Sequence, residues 1–260
     1  YNIGTRDNVY GRYLFNQEET IVPPNLPEPS LSNGRNFFLR AQGASVGWNH
    51  VISPALISNT TIGYTRYTNR QATLNSYRQD FITPAGITNT LSAVDPLFWA
   101  APSISIPGVL APGDATPNYR TMNQYQLQQS VSWSLGRHTL KVGGELREIR
   151  TDMFFTGGNG SWTFANAYSG NNIADFLLGL PSGVSKTARA TQWNTKVHYL
   201  GAYLQDDWKV TNRLTLNLGL RYEVESAIDQ SDKCGLGMTL PGAVEVISSK
   251  CKTLPQIQAF

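Results

Sequence analysis

The sequence is poor in charge and has no long apolar run. Charged residues make up 15% of its 260 residues, against roughly a quarter in ordinary soluble domains. The net charge is only +3 and the basic residues are scattered, so nucleic-acid binding is not expected. The most apolar stretch, residues 96–112, is interrupted by Pro102 and Pro107. Because a membrane-spanning helix needs about 18 or more consecutive apolar residues, none is predicted.

Cysteine is scarce, and its two copies do not form a metal motif. Cys234 and Cys251 stand in a polar stretch near the C-terminal end, with neither CxxC spacing nor a nearby His. A local disulfide in an oxidising compartment is favoured over a pair of free thiols. The signatures of nucleotide, phosphate and HExxH zinc sites are missing as well. We therefore expect no cofactor, no metal site and no catalytic residue, and the chain is not predicted to be an enzyme.

The few histidines and the one pair of adjacent aspartates also give no sign of chemistry. His50, His138 and His198 are far apart in sequence and lie at predicted strand ends or beside turns, where a rim or interface position is expected. Asp206 and Asp207 cannot share a ligand on a straight strand, because neighbouring strand residues point to opposite faces. We expect both aspartates to be structural, with Asp206 near the edge of the membrane.

The sequence does contain repeated period-two alternation of apolar and polar residues, which predicts half-buried strands. Residues 214–222 have Leu or Tyr at every even position and polar or small residues between them. The same alternation occurs in 124–134 and 139–147 and, more weakly, elsewhere. The pattern predicts an all-β, antiparallel up-and-down arrangement of about seven strands, near residues 8–17, 38–51, 60–67, 122–134, 139–149, 197–209 and 214–225.

The connections between these strands alternate in length. Short turns are expected at 53–54, 135–138 and 210–213, whereas long irregular connections follow the other strand ends. Outer-membrane barrels have short periplasmic turns and long extracellular loops, and a soluble meander has no reason for this asymmetry. Within one long connection, residues 172–180 predict a short helix, capped by Asn172 and ended at Gly179.

Tryptophan occurs close to each short turn. Trp48, Trp133 and Trp208 each stand a few residues before one of them, and all three fall on the apolar side of their strand. Trp is favoured at membrane interfaces because its ring is apolar while its N–H needs a polar partner. Aromatic residues could instead close the base of a soluble core. Together with the loop asymmetry, the pattern favours a membrane-interface girdle.

The apolar side of the strands is predicted to contact lipid. Hydrocarbon offers no hydrogen-bond partners, so strands that cross it must pair on both sides and close into a barrel. A wide lumen tolerates charge, and Lys141, Glu145 and Arg147 are expected to form a charge network there, with Arg221 and Glu223 on the same side. The alternative is a soluble β-sandwich binding module, in which the leucines would form a sealed core.

Three aromatic residues in the long connections are candidates for ligand contact. Phe98, Trp99 and Trp162 are expected to be exposed, and binding residues often lie on loops that a rigid scaffold holds in place. Packing of the loops against one another is the alternative role for these side chains.

Several segments resemble TonB-dependent receptors. Residues 199–223 are similar to a barrel hairpin of the superfamily, and three further segments resemble its Oar-like branch: residues 138–147 (HTLKVGGELR), residues 174–181 (ADFLLGLP), and residues 46–50 (VGWNH) with the following Ser53-Pro54. The resemblance covers most of residues 8–225. It implies a barrel of about 22 strands with a plugged lumen, which is energised by the inner-membrane TonB complex and lies in a Gram-negative outer membrane.

On this resemblance, residues 1–260 are interpreted as part of an outer-membrane barrel domain. The sequence opens at Tyr1 without a leader, and no segment resembles a plug, so a fragment is expected. Phe260 is similar to the terminal aromatic residue of such barrels, but Pro255 and the lack of a preceding alternating strand favour truncation.

The resemblance implies gated, TonB-dependent transport of a substrate too large or scarce for porins, such as a siderophore, glycan or cobalamin-like compound. Surface adhesion or protein export of the Oar-like type is the alternative, and a barrel without a plug would be a passive porin. The implied partners are outer-membrane lipid, the TonB complex through a plug, and an unknown small-molecule or protein substrate.

Overall fold

The computed structural model shows a chain dominated by long antiparallel strands. It describes residues 1–28, 30–87, 91–93, 95–109, 112–114, 117–155, 159–185, 191–230, 237–239 and 244–246. The predictions for Cys234, Cys251 and Phe260 concern residues that lie outside the described part of the chain.

The strands, in chain order, are β1 (Asn2–Ile3), β2 (Asp7–Val22), β3 (Arg35–Ser53), β4 (Leu56–Thr73), β5 (Ser103–Ser105), β6 (Asn118–Leu135), β7 (His138–Phe155), β8 (Ser161–Thr163), β9 (Gly183–Ser185), β10 (Thr191–Thr211), β11 (Leu214–Glu225), β12 (Asp229–Gln230), β13 (Gly237–Thr239) and β14 (Val244–Val246). The helices are the 3₁₀ turns Leu91–Ala93 and Pro96–Phe98 and the α-helix α1 (Asn172–Leu177). Among the described residues, no helix is long and apolar enough to cross a membrane.

One large sheet contains the seven long strands that the alternation predicts. Its order is β1-β2-β3-β4-β6-β7-β10-β11, with β12 paired to β10, and each neighbouring pair is antiparallel. Each long strand therefore pairs with the long strand before it in the chain, which is the up-and-down arrangement expected from the sequence. The sheet remains open in the described part of the chain.

The long strands extend beyond the predicted bounds at the end away from the short turns. β2 runs to Val22 rather than to residue 17, β4 runs to Thr73 rather than to residue 67, and β10 begins at Thr191 rather than at residue 197. In these extensions both faces carry polar residues, so no alternation marks them. Backbone hydrogen bonds continue the ladder there, with Gln17 opposite Arg40.

The short turns lie together at one end of the sheet, as predicted. They connect β3 to β4, β6 to β7 and β10 to β11, and two residues separate the strands in each case. In the middle turn, Gly136 has a positive φ of 59°, which glycine adopts without steric cost. The long connections between the other strand ends therefore share the opposite end of the sheet.

The long connections pack on one another, and most of the fully buried side chains lie there or at the adjoining strand ends. Ile82, Phe98 and Phe154 are each at most 2% exposed, and the rings of Phe98 and Phe154 are 5.8 Å apart. Short strands β5, β8 and β9 form a separate three-stranded sheet in these connections. The connections, predicted to be irregular, thus contain a small core, which we call the loop core.

The prediction that Phe98 is exposed is wrong. The Asp95 carboxylate accepts a hydrogen bond of 2.7 Å from the N–H of Leu97 and caps the 3₁₀ turn Pro96–Phe98. This turn directs the Phe98 ring towards Phe154 at the end of β7. The sequence did not indicate this contact because it joins residues that are far apart in the chain.

The predicted short helix is present, but its cap is one residue earlier than predicted. Asn171 is the N-cap and accepts hydrogen bonds from the N–H groups of Ile173 and Ala174, at 2.9 and 3.1 Å, whereas Asn172 accepts only the N–H of Ile173, at 3.0 Å. The helix ends before Gly179, which has a φ of +68°. Asp175 is fully buried and accepts the N–H of Ser169 at 2.7 Å.

Replacing Asp175 by Asn is expected to loosen the segment around α1. The Ser169 hydroxyl and then the backbone N–H groups of Tyr168 and Ser169 lower the pKa of the Asp175 carboxyl. Because this folded-state pKa is lowered, the stabilisation is present above the unfolded value of about 3.9 and is lost as the pH falls through the folded value. Amide exchange around residue 169 should become roughly tenfold faster in Asp175→Asn.

The control for this prediction is Glu28→Gln, which removes one exposed carboxylate elsewhere in the loops. Hydrogen exchange followed by mass spectrometry at two pH values separates the outcomes. Unchanged protection of residues 164–180 in Asp175→Asn would show that the carboxylate does not hold this segment.

Candidate functional site

One face of the sheet carries a continuous row of apolar side chains. Register partners on six neighbouring strands share this face, and each of their side chains is between 40% and 61% exposed: Val46, Ile62, Leu127, Leu146, Leu200 and Val224. We call these residues the apolar row. No protein layer packs against it in the described part of the chain. Soluble monomers rarely expose large contiguous apolar surfaces.

The opposite face is polar at the same height. One register step from the apolar row, the partners on the same six strands are polar or glycine: Gly47, Thr61, Gln128, Glu145, Gly201 and Glu223. One face therefore requires an apolar surrounding, while the other tolerates water. This division matches a membrane-spanning sheet whose inner face lines an aqueous or protein-filled lumen.

The inner face contains part of the predicted charge network. The Glu145 carboxylate is 3.1 Å from the Arg147 guanidinium and accepts hydrogen bonds from Gln126 and Gln128 at 3.1 and 3.3 Å. Arg147 also lies over the ring of Tyr199, 4.5 Å from its centroid. Lys141 occupies the same face, but it does not belong to these contacts among the described residues.

Tyrosine rings lie flat against glycines on the inner face. A Cβ atom added at Gly143 would be 2.6 Å from Cε1 of Tyr203, and Tyr10 covers Gly47 in the same way. Glycine therefore permits the close approach of the ring to the backbone. The result is a smooth wall in place of projecting side chains.

The structure brings all three predicted girdle tryptophans to the apolar face, near the short turns. Trp48 and Trp133 are 44% and 45% exposed, and Trp208 lies opposite His138 at the end of β7. Their height on the sheet fits one interface of a bilayer. The interface role itself remains a prediction.

Two of these tryptophans stand in contacts that the sequence did not reveal. The Trp48 indole donates a hydrogen bond of 2.8 Å to Asp7, whose carboxylate is also 2.6 Å from Nδ1 of His50. Asp7 lies just outside the predicted bounds of its strand, and only the cross-strand register places it opposite His50.

The second contact is similar in composition. Nδ1 of His138 is 2.7 Å from the Asp206 carboxylate, and the His138 ring stacks on Trp208 with centroids 5.3 Å apart. Asp206 stands between Leu140 and Leu218 on the apolar face. His138 is therefore at the rim, as expected, and provides a polar partner for an aspartate in an apolar environment.

His198 does not fit the prediction of a strand end. It lies inside β10, because that strand begins at Thr191, and its Nδ1 is 3.6 Å from the Glu148 carboxylate. Asp206 and Asp207 point to opposite faces, as expected. No group of three or more potential metal ligands occurs among the described residues.

Removing the partner of Asp206 should be destabilising. His138→Phe keeps an aromatic ring beside Trp208 but leaves the carboxylate without its hydrogen bond, which costs about 1–3 kcal/mol for a buried polar group. The double variant His138→Phe/Asp206→Leu removes both polar groups and should regain most of this loss. Unfolding free energies in bilayers measure the effect. Equal stability of the single and double variants would contradict the assigned pairing.

The remaining aromatic candidates lie in the loop core and are half-buried. Trp162 belongs to β8 and covers Gly160, while Trp99 ends the 3₁₀ turn that contains Phe98. Near them, the Asp114 carboxylate accepts the N–H of Ala101 at 2.6 Å, and burial raises the pKa of Asp114. Ligand contact by Trp99 or Trp162 remains a prediction.

Comparisons with known proteins give one family match and similarity to outer-membrane transporters. Residues 1–243 match the outer membrane beta barrel domain family. Over 132 residues the chain is 27% identical to the TonB-dependent transporter Oar of Myxococcus xanthus, covering 46% of this chain and 12% of that protein. The crystal structure of the outer membrane transporter YddB from Escherichia coli matches with a TM-score of 0.44 and 10% identity, over 86% of this chain and 26% of that one.

The chain spans a small fraction of the length of each of these two proteins. A soluble β-sandwich would place a second layer on the apolar row, and the family match contradicts that alternative. The sheet is part of an outer-membrane β-barrel domain, which places it in an outer membrane of Gram-negative type. Because the match extends from residue 1 to residue 243, the chain belongs to the family of outer-membrane β-barrel domains.

Proposed function

We propose that this chain is a wall segment of a TonB-dependent transporter, with its apolar row in the membrane and its polar face towards a plug or substrate. The observation that carries the proposal is the register-matched pair of rows, one apolar and one polar, on six neighbouring strands. The likeness to Oar supports the TonB-dependent class. On this proposal the wall needs no catalytic residue and no cofactor.

The polar inner face supports passage or plug docking. Arg147, Glu145 and the glutamines beside them form a hydrogen-bonded surface, and the glycines under Tyr10 and Tyr203 keep projecting side chains away from the lumen. A substrate too large for porins needs such a wide, wettable interior.

The test compares cells that lack the full-length gene with cells that lack TonB function. Growth is measured on siderophore-bound iron, on complex glycans and on cobalamin as limiting nutrients. The proposal predicts that both strains fail on the same nutrient and that the double mutant is no worse than either. If loss of the gene causes a growth defect on a nutrient whose uptake does not require TonB, the result would favour a passive porin.

Adhesion or protein export is a second candidate, supported by one feature of the loops. Leu177 and Leu178 are 77% and 65% exposed, and exposed apolar patches mark protein contacts. If this function holds, Leu177→Ser/Leu178→Ser should reduce cell attachment or the amount of secreted protein while growth on every limiting nutrient stays normal.

A further inference from the structure

A row of polar residues crosses the membrane-facing side of four neighbouring strands. The row has one residue on each strand, and each residue is the register partner of the residue on the next strand: Arg66 in β4, Asn123 in β6, Arg150 in β7 and Lys196 in β10. Because neighbouring strands lie about 4.8 Å apart, the four residues span about 14 Å. Three of the four side chains are cations, and we call the set the cationic row. It shares the face of the apolar row.

The cationic row lies just beyond the hydrocarbon at the long-loop end. On β6, Tyr125 is eight residues from Trp133, which corresponds to about 27 Å along the strand and about 20 Å along the membrane normal at ordinary tilt. The rings of Tyr125 and Tyr64 are 5.1 Å apart and mark the second interface. Asn123 and Arg66 follow them on the same face, two residues farther out.

The cationic row and the two tyrosines line a shallow cavity of about 410 Å³, to which the acidic Asp152 also contributes. The Arg150 guanidinium lies over the Tyr125 ring, 5.4 Å from its centroid, and pairs with the Glu148 carboxylate. Tyr64 donates a hydrogen bond of 2.8 Å to Asn123. The floor of the cavity is therefore aromatic, and a cation in the row is held in a fixed orientation.

Acidic groups on the same face are fewer than basic ones. On β4, β6, β7 and β10, four basic side chains lie level with the tyrosine pair or farther towards the long loops. The acidic side chains in the same region of these strands are Glu148 and Asp152, and Asp229 on β12 lies opposite Lys196. Arg70 is the fourth basic residue, and Arg40 on β3 adds a fifth close by. With Glu19 on β2 counted as well, the surface that faces the headgroup layer carries a small excess of positive charge.

We propose that the cationic row binds the phosphate of an outer-leaflet lipid headgroup, while the acyl chains of that lipid lie along the apolar row. Guanidinium groups bind phosphate oxygens in a bidentate manner, and basic pockets beside membrane-spanning segments bind anionic headgroups. The cavity opens towards lipid, on the face away from the lumen. A lipid bound there lies outside the lumen and is therefore not a transported substrate.

The test uses the full-length protein in detergent and native mass spectrometry. Bisphosphorylated lipid A, its dephosphorylated form and inorganic phosphate are titrated separately. The protein should retain bisphosphorylated lipid A at concentrations where the dephosphorylated lipid is lost. Equal retention of the two lipids would overturn the proposal. It would also be overturned if inorganic phosphate displaced bisphosphorylated lipid A completely, because the acyl chains would then contribute nothing to binding.

The variant Arg66→Gln/Lys196→Gln removes two cations and leaves the Arg150–Glu148 pair in place. Each basic residue near a lipid surface contributes roughly a fivefold gain in binding, so retention should fall roughly 25-fold. The matched control, Arg12→Gln/Arg120→Gln, removes the same charge from the inner face and should bind as the wild type does. Equal binding by the two double variants would also overturn the proposal. If the first variant fails to assemble, Arg66→Gln alone should weaken binding roughly fivefold.

Discussion

Leu127→Arg is expected to lower the free energy of unfolding in a bilayer by about 1–3 kcal/mol, because Leu127 lies on the lipid face between the membrane midplane, where a cation costs about 2–4 kcal/mol, and the interface, where it costs about 0–1 kcal/mol. Leu127 lies in the middle of the apolar row, with Ile62 and Leu146 as its register partners. An arginine there would have to leave the hydrocarbon or draw water into it. Urea unfolding of the full-length protein in lipid vesicles measures the loss.

The matched control is Gln128→Arg on the adjacent residue of the same strand. Gln128 points to the inner face, where it donates a hydrogen bond to Glu145, so a cation would meet an acid in a polar surrounding. Its unfolding free energy should change by less than about 1 kcal/mol. A loss as large as that of Leu127→Arg would mean that the inner face is apolar as well, which contradicts the division of the sheet.

Phe98→Ala is expected to open the loop core. Large-to-small substitutions of buried aromatic residues cost about 3–5 kcal/mol, and Phe98 is 2% exposed. The Phe98 ring stacks on Phe154 at the end of β7. The Phe98 backbone carbonyl accepts a hydrogen bond of 2.7 Å from Asn159, and this bond does not depend on the ring. Hydrogen exchange of residues 95–105 and 159–164 should rise sharply, whereas exchange in β6 and β7 below them should not.

Tyr168→Ala provides the comparison, because this aromatic residue also lies in the loops but is 64% exposed. It should leave the exchange rates of both segments unchanged. If Phe98→Ala protects these amides from hydrogen exchange as well as Tyr168→Ala does, the loop core is held by its backbone hydrogen bonds alone.

The long strands could be predicted because one face is apolar and the other is polar, so apolar and polar residues alternate along the sequence. Residues 214–222 alternate perfectly, and β11 has the bounds predicted for it, Leu214–Glu225. The outer ends of β2, β4 and β10 could not be predicted in the same way. There both faces are polar, as at Gln17 opposite Arg40, and a hydrogen-bonded ladder leaves no periodic signal in the sequence.

The functional surfaces were only partly predictable, for a related reason. The tryptophan positions could be assigned to one face from parity and to one end from the short turns. The cationic row could not, since Arg66, Asn123, Arg150 and Lys196 come together only through the cross-strand register. The burial of Phe98 likewise depends on a contact with Phe154, 56 residues later in the chain by their numbers.

The most direct test of the central claim is quenching of single-site fluorescent labels in the full-length protein, reconstituted into bilayers. Cys234 and Cys251 are replaced by Ser, and labels are placed at positions 61, 62, 127 and 128. Lipid with brominated acyl chains should quench the labels at 62 and 127, while iodide in water should reach those at 61 and 128 more readily. Labels at 62 and 127 that are shielded from the brominated lipid would show that other protein, not membrane, covers the apolar row.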